Sequence, residues 1–156
     1  LLSNNRPTSE LDLTAWKNAV RLLMRDNEKS YGENSYDISG QLKETSSVLG
    51  IKINVEGDIP DPFYYKIFIT AVRECATNAV RHAGATKLNV KCSKSGGRQW
   101  IALSNDGKAP ISAVTEGGGL SSLHDRVEKS GGTMSINSYP YFELVISFPL
   151  NKEVTL

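Results

Sequence analysis

The sequence lacks the features that would place the chain in several large functional classes. Lysine plus arginine and aspartate plus glutamate nearly balance, at 18 and 17 residues, which gives a formal net charge of +1. The basic residues are scattered, so neither a nucleic-acid surface nor a basic membrane-binding helix is predicted. No apolar run is long enough for a transmembrane helix. The remaining composition is that of a globular domain of ordinary size.

Cysteine and histidine are both scarce, with two residues of each. Cys75 and Cys92 have no metal-like spacing and fall on apolar faces, so we expect buried, reduced thiols rather than a disulfide or a ligand pair. The two histidines are His82 and His124. The chain begins at Leu1 rather than at methionine, and we therefore expect it to be a fragment of a longer protein.

The stretch from Tyr64 to Gly84 has a strong helical pattern. Its apolar residues recur with helical spacing and predict one broad buried stripe made of Tyr64, Phe68, Ala71, Val72, Cys75, Ala76, Ala79 and Val80. The opposite face is predicted to lie in solvent and consists of Lys66, Thr70, Arg73 and Thr77. Gly84 is expected to end this helix.

Four polar residues of this helix belong to neither face, and we call them the polar seam: Glu74, Asn78, Arg81 and His82. At about 100° per residue they share one strip between the buried stripe and solvent. Glu74 and Asn78 project side by side because they are four residues apart. A carboxylate can act as a base, and a carboxamide oxygen can bind a hard cation such as Mg²⁺. A surface helix with ordinary polar residues at its edge explains the pattern equally well.

The elements around this helix predict an α+β fold. Two helices and a strand precede it, at Asp12 or Thr14 to about Tyr31, at Asp37 to Leu49, and at Ile51 to Val55. A hairpin, a further helix and a second hairpin follow it. Adjacent antiparallel pairs interspersed with helices predict a two-layer α/β sandwich, in which helices cover one face of a mixed, mostly antiparallel sheet.

Two polar loops follow the central helix. Asn105-Asp106-Gly107 ends a predicted strand, where a glycine lets the chain turn sharply beside a ligand, although a plain turn has the same pattern. Glu116-Gly117-Gly118-Gly119-Leu120 leads directly into a helix that runs to about Lys129. Glycine-rich backbone at a helix N-terminus can bind a polyphosphate through its N–H groups. A flexible linker is the alternative, but a linker has no reason to end at an amphipathic helix.

These three motifs, in this order, resemble the ATP-binding catalytic domain of two-component sensor histidine kinases. That domain belongs to the GHKL superfamily, shared with gyrase, MutL and the anti-sigma serine kinases. Glu74-x-x-x-Asn78-x-x-Arg81-His82 is similar to the asparagine box, and Asn105-Asp106-Gly107 is similar to the first glycine box. The second glycine box is similar to Gly117-x-Gly119-Leu120-x-x-Leu123-x-x-Arg126-Val127 followed by Gly131-Gly132. The resemblance covers about Ile51 to Pro149 and implies the GHKL (Bergerat) ATP-binding fold.

The resemblance implies a role for each matching residue. Glu74 would act as the base or polarise the attacking nucleophile, and Asn78 would ligate the Mg²⁺ bound to the ATP phosphates. Arg81 and His82 would line the phosphate or ribose side. The other nucleotide contacts that it implies come from the two glycine boxes, namely Asn105, Asp106, Gly107, Gly117, Gly118, Gly119 and Leu120. The glycines would let a short lid fold over the triphosphate.

The first glycine box departs from the family pattern at Asn105, and a third glycine expected near Ala109 is also missing. The family usually has aspartate where Asn105 stands, and that aspartate accepts the adenine amino proton. Asparagine can accept the same proton with its oxygen and can also donate to a ring nitrogen. Asp106 could instead take the role through a shift of one residue. The sequence leaves the adenine contact open between these two residues.

The resemblance implies a protein histidine kinase domain in residues 51–150 that uses ATP and Mg²⁺ in two-component signal transduction. Both histidines lie inside the nucleotide motifs, so we expect the acceptor histidine on a dimerisation and phosphoacceptor domain elsewhere in the parent chain. The helices of residues 1–50 would form the connection to it, and residues 151–156 would be a tail. An anti-sigma-type serine kinase and a non-catalytic nucleotide-binding regulatory module are the alternatives.

The resemblance also implies a set of partners and a location. The expected partners are the phosphoacceptor domain, a response regulator and a second copy of the parent chain, with no nucleic acid. The expected location is the cytoplasmic portion of a membrane-anchored parent.

Overall fold

A computed structural model describes residues 37–110 and 118–150. Helix α1 (Ile38–Leu49) and strand β1 (Lys52–Gly57) come first, and a short 3₁₀ turn (Pro62–Tyr64) then leads into the long helix α2 (Tyr65–Ala83). Strands β2 (Lys87–Ser95) and β3 (Arg98–Asn105) form a hairpin, and helix α3 (Gly119–Lys129) precedes strands β4 (Thr133–Asn137) and β5 (Glu143–Pro149). The helix predicted between residues 12 and 31 lies outside the described residues.

The five strands form one mixed sheet in the order β1-β2-β3-β5-β4. β1 runs parallel to β2, and the other three pairings are antiparallel. Residues that pair across strands share a face of the sheet, and one such row joins the fully buried Val90, Leu103 and Leu144. The neighbouring positions Lys91 and Ser135 are exposed. Within the described residues the helices therefore cover one face of the sheet, and the predicted fold class is confirmed.

Helix α2 supplies most of the second layer. Ten of its residues are buried, and Phe68, Ile69, Ala71, Val72 and Ala76 are fully so. Burying one side chain of the size of Phe68 contributes about 1.5–3 kcal/mol. Tyr64 fixes the start of the helix on the sheet, since its ring stacks on Phe148 at 4.2 Å and its hydroxyl donates to the Pro149 carbonyl at 2.8 Å. Gly84 ends the helix in the left-handed conformation, with φ of 59°, as the sequence predicts.

Helix α1 matches its predicted bounds. The Asp37 carboxylate caps it by accepting from the Gly40 amide at 2.9 Å, and Gly50 ends it with φ of 67°. Both cysteines are buried and free, which confirms the prediction of core thiols.

The prediction of a solvent face on α2 is wrong at Arg73. Its side chain is 1% exposed, because α1 packs over this part of α2. The guanidinium donates from Nε to the Thr45 hydroxyl at 3.1 Å and from Nη2 to the Gln41 side-chain oxygen. Arg73 therefore joins the two helices through hydrogen bonds that compensate for its burial.

Candidate functional site

The polar seam of α2 lies where the sequence predicts it, at the edge of the buried stripe. Glu74 and Asn78 are half-buried, whereas Arg81 and His82 are exposed near the C-terminal end of the helix. With 100° per residue, these four side chains fall within an arc of about 100°. The helix thus presents a partly desolvated carboxylate and amide next to two basic side chains.

The start of α3 packs directly on Glu74. A Cβ placed on Gly119 would lie 1.9 Å from Oε1 of Glu74 and 2.5 Å from Oε2. The first residues of a helix carry N–H groups without intrahelical acceptors, and the helix dipole adds positive potential at this end. α3 has no side-chain cap at Gly118, and its first turn contains no acidic residue. The Glu74 carboxylate therefore lies beside a site that favours negative charge.

Burial raises the pKa of the Glu74 carboxyl above its ordinary value. Desolvation is the cause, because water is withdrawn from the charged form without a described cation close enough to compensate. A carboxylate with a raised pKa accepts a proton more readily at physiological pH.

The loop after β3 is held on the other end of α2. A Cβ on Gly107 would lie 2.4 Å from the Ala83 carbonyl oxygen, so only glycine fits this close approach. The Lys108 amide donates to the same carbonyl at 2.9 Å. The Gly107 amide donates to Oδ1 of Asn105 at 2.8 Å, which closes a tight Asx turn.

Asp106 anchors this loop to the start of β2. Its Oδ1 accepts from the amides of Thr86 at 2.8 Å and Lys87 at 2.9 Å, and its Oδ2 accepts from the Thr86 hydroxyl at 2.5 Å. The hydrogen bond from the Thr86 side chain lowers the pKa of this carboxyl, with further lowering from the backbone amides. Both oxygens are thus used within the protein, although Asp106 itself is exposed.

The two glycine loops therefore meet α2 at different heights. Glu74 and Ala83 are nine residues apart, or about 13 Å along the helix at 1.5 Å per residue. Asn78 lies between them, about 6 Å from Glu74 along the axis. The structure thus places Gly119 at Glu74 and Gly107 at Ala83, the last residue of the helix. That these residues line one nucleotide site stays a prediction.

Gly118 and Leu120, which the sequence also predicts as nucleotide contacts, differ in the atoms that a ligand could reach. Gly118 is exposed with φ of 51°, whereas Leu120 is 5% exposed and packs in the core, so it can offer only its backbone to a ligand. Gly117 lies outside the described residues. Sequence reasoning missed Thr86 and Lys87, which hold Asp106, because no local pattern connects residues about 20 positions apart.

The hydroxyl of Thr77 is also absent from the predicted site. Its Oγ1 is buried and makes no hydrogen bond to another described residue, although the sequence placed Thr77 on the solvent face. It lies next to Asn78 on α2, so the helix buries a polar atom beside the seam. Thr77 shares its predicted face with Lys66 and Arg73, so the sequence gives no signal that its hydroxyl is buried.

The described residues contain neither a metal-binding cluster nor a membrane-spanning helix. No three histidine, cysteine, aspartate or glutamate side chains in residues 37–110 and 118–150 are grouped to hold a metal ion. Over the same part of the chain, no helix has both the length and the apolar character needed to cross a membrane.

No protein-family model and no curated protein sequence matches the chain. Solved structures do match it. The histidine kinase domain of the blue-light-activated histidine kinase EL346 from Erythrobacter litoralis is 20% identical, with a TM-score of 0.58 over 92% of this chain and 76% of that one. The ATP-binding domain of PrrB from Mycobacterium tuberculosis is 22% identical, with a TM-score of 0.54 over 75% of this chain and 96% of that one.

A third structure, the histidine kinase AdeS of Acinetobacter baumannii, is 12% identical, with a TM-score of 0.56 over 93% of this chain and 87% of that one. At these sequence identities the likeness shows a shared fold and says nothing about a shared activity. The five-stranded sheet with its helical layer is therefore the fold that histidine kinase domains use to build their ATP-binding part.

Proposed function

We propose that the chain is the ATP-binding kinase domain of a sensor histidine kinase. It would transfer the γ-phosphate of ATP to a histidine on a phosphoacceptor domain of the parent chain. The observation that carries this proposal is the pair of close contacts on α2, of Gly119 with Glu74 and of Gly107 with Ala83. The two glycine loops contact α2 before and after the half-buried Asn78 along the helix axis. They would form the two ends of a nucleotide site.

The two ends suit different parts of a nucleotide. The start of α3 offers backbone N–H groups and positive potential, which suit the phosphates. The loop of Asn105 and Gly107 lies at the end of a buried strand and offers an amide side chain, which suits the base. The separation of about 13 Å along α2 leaves room for a ribose between them.

The residues present fit Mg²⁺ only in combination with a nucleotide. No three acidic, histidine or cysteine ligands are grouped in residues 37–110 and 118–150, so this part of the chain offers no metal cage of its own. Mg²⁺ in kinases is commonly held by one or two side-chain oxygens together with substrate phosphates and water. Asn78 would supply such an oxygen, and the ion would neutralise charge on the phosphates.

Glu74 would serve as the proton acceptor during transfer. The bond from the γ-phosphorus to the bridging oxygen of ADP breaks, a bond to the imidazole nitrogen forms, and the imidazole proton goes to the carboxylate. The raised pKa of Glu74 suits this role, since its carboxylate binds a proton more readily than a solvated one. Arg81 and His82, exposed about two turns beyond Glu74, would contact the phosphate or ribose side.

The Asn78→Ala variant tests the metal role. Asn78 lies off the buried stripe, so the variant should fold normally and melt close to the wild type. A charge-assisted contact is worth about 1.5–3 kcal/mol, so affinity for Mg·ATP should fall roughly 10- to 100-fold in titration calorimetry. Affinity measured in the presence of EDTA should be similar for the two proteins. Unchanged affinity for Mg·ATP in the variant would contradict the role of Asn78.

Transfer itself is tested with a phosphoacceptor domain supplied as a separate protein. We expect acid-labile, base-stable phosphate from γ-labelled ATP on that domain and none on this chain. His82 lies exposed on α2, and Nε2 of His124 on α3 lies 3.1 Å from the Glu128 carboxylate. We expect neither histidine to be the acceptor. Labelling of this chain alone would contradict the proposal that the acceptor lies elsewhere. The parent would then pass its phosphate to a response regulator, and would act as a homodimer in the cytoplasm.

A further inference from the structure

The amide of Asn105 has a fixed orientation, and that orientation determines what a bound base meets. The Gly107 amide donates to Oδ1 of Asn105 at 2.8 Å. A backbone N–H can bond only to an acceptor, so this contact identifies the atom facing the loop as oxygen. Nδ2, which is a donor only, is therefore the end of the amide that faces away from the Gly107 amide.

Among residues 37–110 and 118–150, Oδ1 makes the one hydrogen bond of the Asn105 side chain, and Nδ2 makes none. Asn105 pairs with the buried Leu88 and alternates with Leu103 and Ile101, so its side chain belongs to the helix-covered face of the sheet. It is half-buried at the point where the loop meets the end of α2. A donor thus stands at the base end of the proposed site.

The described part of the same loop, residues 106–110, contains one carboxylate, that of Asp106. Its two oxygens accept hydrogen bonds from Thr86 and Lys87 at the start of β2. A shift of one residue that moved Asp106 into the place of Asn105 would break these three hydrogen bonds. Among residues 105–110, the polar side chain on the helix-covered face of the sheet is therefore an amide rather than an acid.

We propose that Asn105 makes the base subsite tolerant of 6-oxopurines, so that inosine or guanosine triphosphate binds about as well as ATP. This inference rests on the proposed nucleotide-binding function. Nδ2 can donate to the 6-oxo group, whereas a carboxylate at this position would face it with a second acceptor. Nδ2 can equally donate to the unprotonated ring nitrogen beside the 6-amino group of adenine, so ATP is accommodated as well.

The test compares ITP with ATP, which differ at position 6 of the base and in protonation of the adjacent ring nitrogen. We expect the ratio of the dissociation constants of Mg·ITP and Mg·ATP to lie below about three in the wild type. In Asn105→Asp, one oxygen still accepts from the Gly107 amide, so the loop should keep its shape. The ratio should then rise about tenfold or more in favour of ATP, because the donor becomes an acceptor.

Asn89→Asp is the matched control. It makes the same chemical change on β2, on the open face of the sheet, where Oδ1 of Asn89 accepts from Nδ2 of Asn54 at 3.4 Å. The control should leave the ratio unchanged, which separates base recognition from added charge. Thermal melting of all three proteins checks that each is folded.

The outcomes separate the two proposals. A wild-type ratio above three, or a ratio that Asn105→Asp does not change, overturns the base tolerance while ATP binding stands. If neither triphosphate binds the wild type, the nucleotide-binding function itself fails. Tight binding of both triphosphates, with selectivity for ATP appearing only in Asn105→Asp, supports the assignment of Asn105.

Discussion

Among the single residues of the proposed site, Glu74 lowers the free energy of unfolding when its carboxyl group is charged. Its carboxylate is half-buried against Gly119, and burial raises the pKa of this group. A carboxyl with a raised pKa binds protons more tightly in the folded chain than in the unfolded chain. Its charged form therefore lowers the free energy of unfolding above the ordinary carboxyl pKa, and this cost disappears when both states are protonated.

Glu74→Gln should accordingly be more stable than the wild type at neutral and alkaline pH. The difference in melting temperature should shrink as the pH falls toward the ordinary carboxyl pKa, since the wild-type group then becomes neutral. Thermal melts between about pH 4 and pH 9 measure this, with Glu44→Gln on the exposed face of α1 as the control. Phosphotransfer should be lost at every pH. A variant less stable than the wild type at neutral pH would contradict the desolvation of Glu74.

The sequence predicted the seam residues but not the anchoring of the loop. Helical spacing places Glu74 and Asn78 together whatever the rest of the chain does, because they share one element. Asp106 has its partners on β2, at Thr86 and Lys87, and only the assembled sheet brings them together. The hydrogen-bond partners of Asp106 could therefore not be predicted from the sequence.

At the scale of elements, two glycines set how closely the loops approach α2. Gly107 faces backbone, the Ala83 carbonyl, whereas Gly119 faces the end of a side chain, the Glu74 carboxylate. A side chain can rotate away from an added methyl group, but a helix carbonyl cannot move without distorting its own turn. The same substitution should therefore have different consequences at the two positions.

Gly107→Ala should lower the free energy of unfolding by about 1–3 kcal/mol, because the methyl group has no space beside Ala83. Gly119→Ala should cost less stability and should displace Glu74, so that phosphotransfer falls more than folding does. Chemical denaturation of both variants measures the stability change.

The double variant Glu74→Ala with Gly119→Ala serves as the comparison. Removing the carboxylate relieves the clash, so the stability cost of Gly119→Ala should be smaller in the Glu74→Ala background. Additive costs would mean that Gly119 and Glu74 are not in contact, and the placement of α3 against the seam would be wrong.

Element packing also explains the incorrect prediction at Arg73. Periodicity separates polar from apolar positions but does not show which polar face another helix will cover. Arg73 is polar by sequence and buried by α1, whose Gln41 and Thr45 accept its hydrogen bonds. Thr45 lies 28 residues before Arg73, so no local sequence pattern indicates that the two are in contact. The face of α2 that was predicted to lie in solvent is at this point an interface between two helices.

For the molecule as a whole, the two-layer architecture could be predicted from the alternation of apolar residues in the sequence. Leu88, Val90 and Cys92 alternate on β2, and Leu144, Ile146 and Phe148 alternate on β5, so each strand has one core face. Joining those faces side by side leaves one side of the sheet for helices. The strand order, with β5 inserted between β3 and β4, could not be read from alternation, because alternation gives faces rather than neighbours.

The layering also separates the proposed site from another concave surface. A cleft between α1 and β1, lined by residues that include Lys43, Ser46 and Lys52, lies beside the β1 edge of the sheet. Two lysines there could attract a triphosphate without any specific site. A direct measurement must therefore report where on the molecule a nucleotide binds, rather than only that it binds.

Backbone amide NMR shifts of the ¹⁵N-labelled chain, followed during titration with a non-hydrolysable ATP analogue and Mg²⁺, would show where the nucleotide binds. We expect the largest changes at Gly107, Asn78 and Gly119, with small changes at Lys91 and Ser135 on the open face of the sheet. The Asn78→Ala variant should lose the Mg²⁺-dependent part of these changes. Shifts concentrated at Lys43 and Lys52, with Gly107 and Gly119 unaffected, would contradict a nucleotide site along α2.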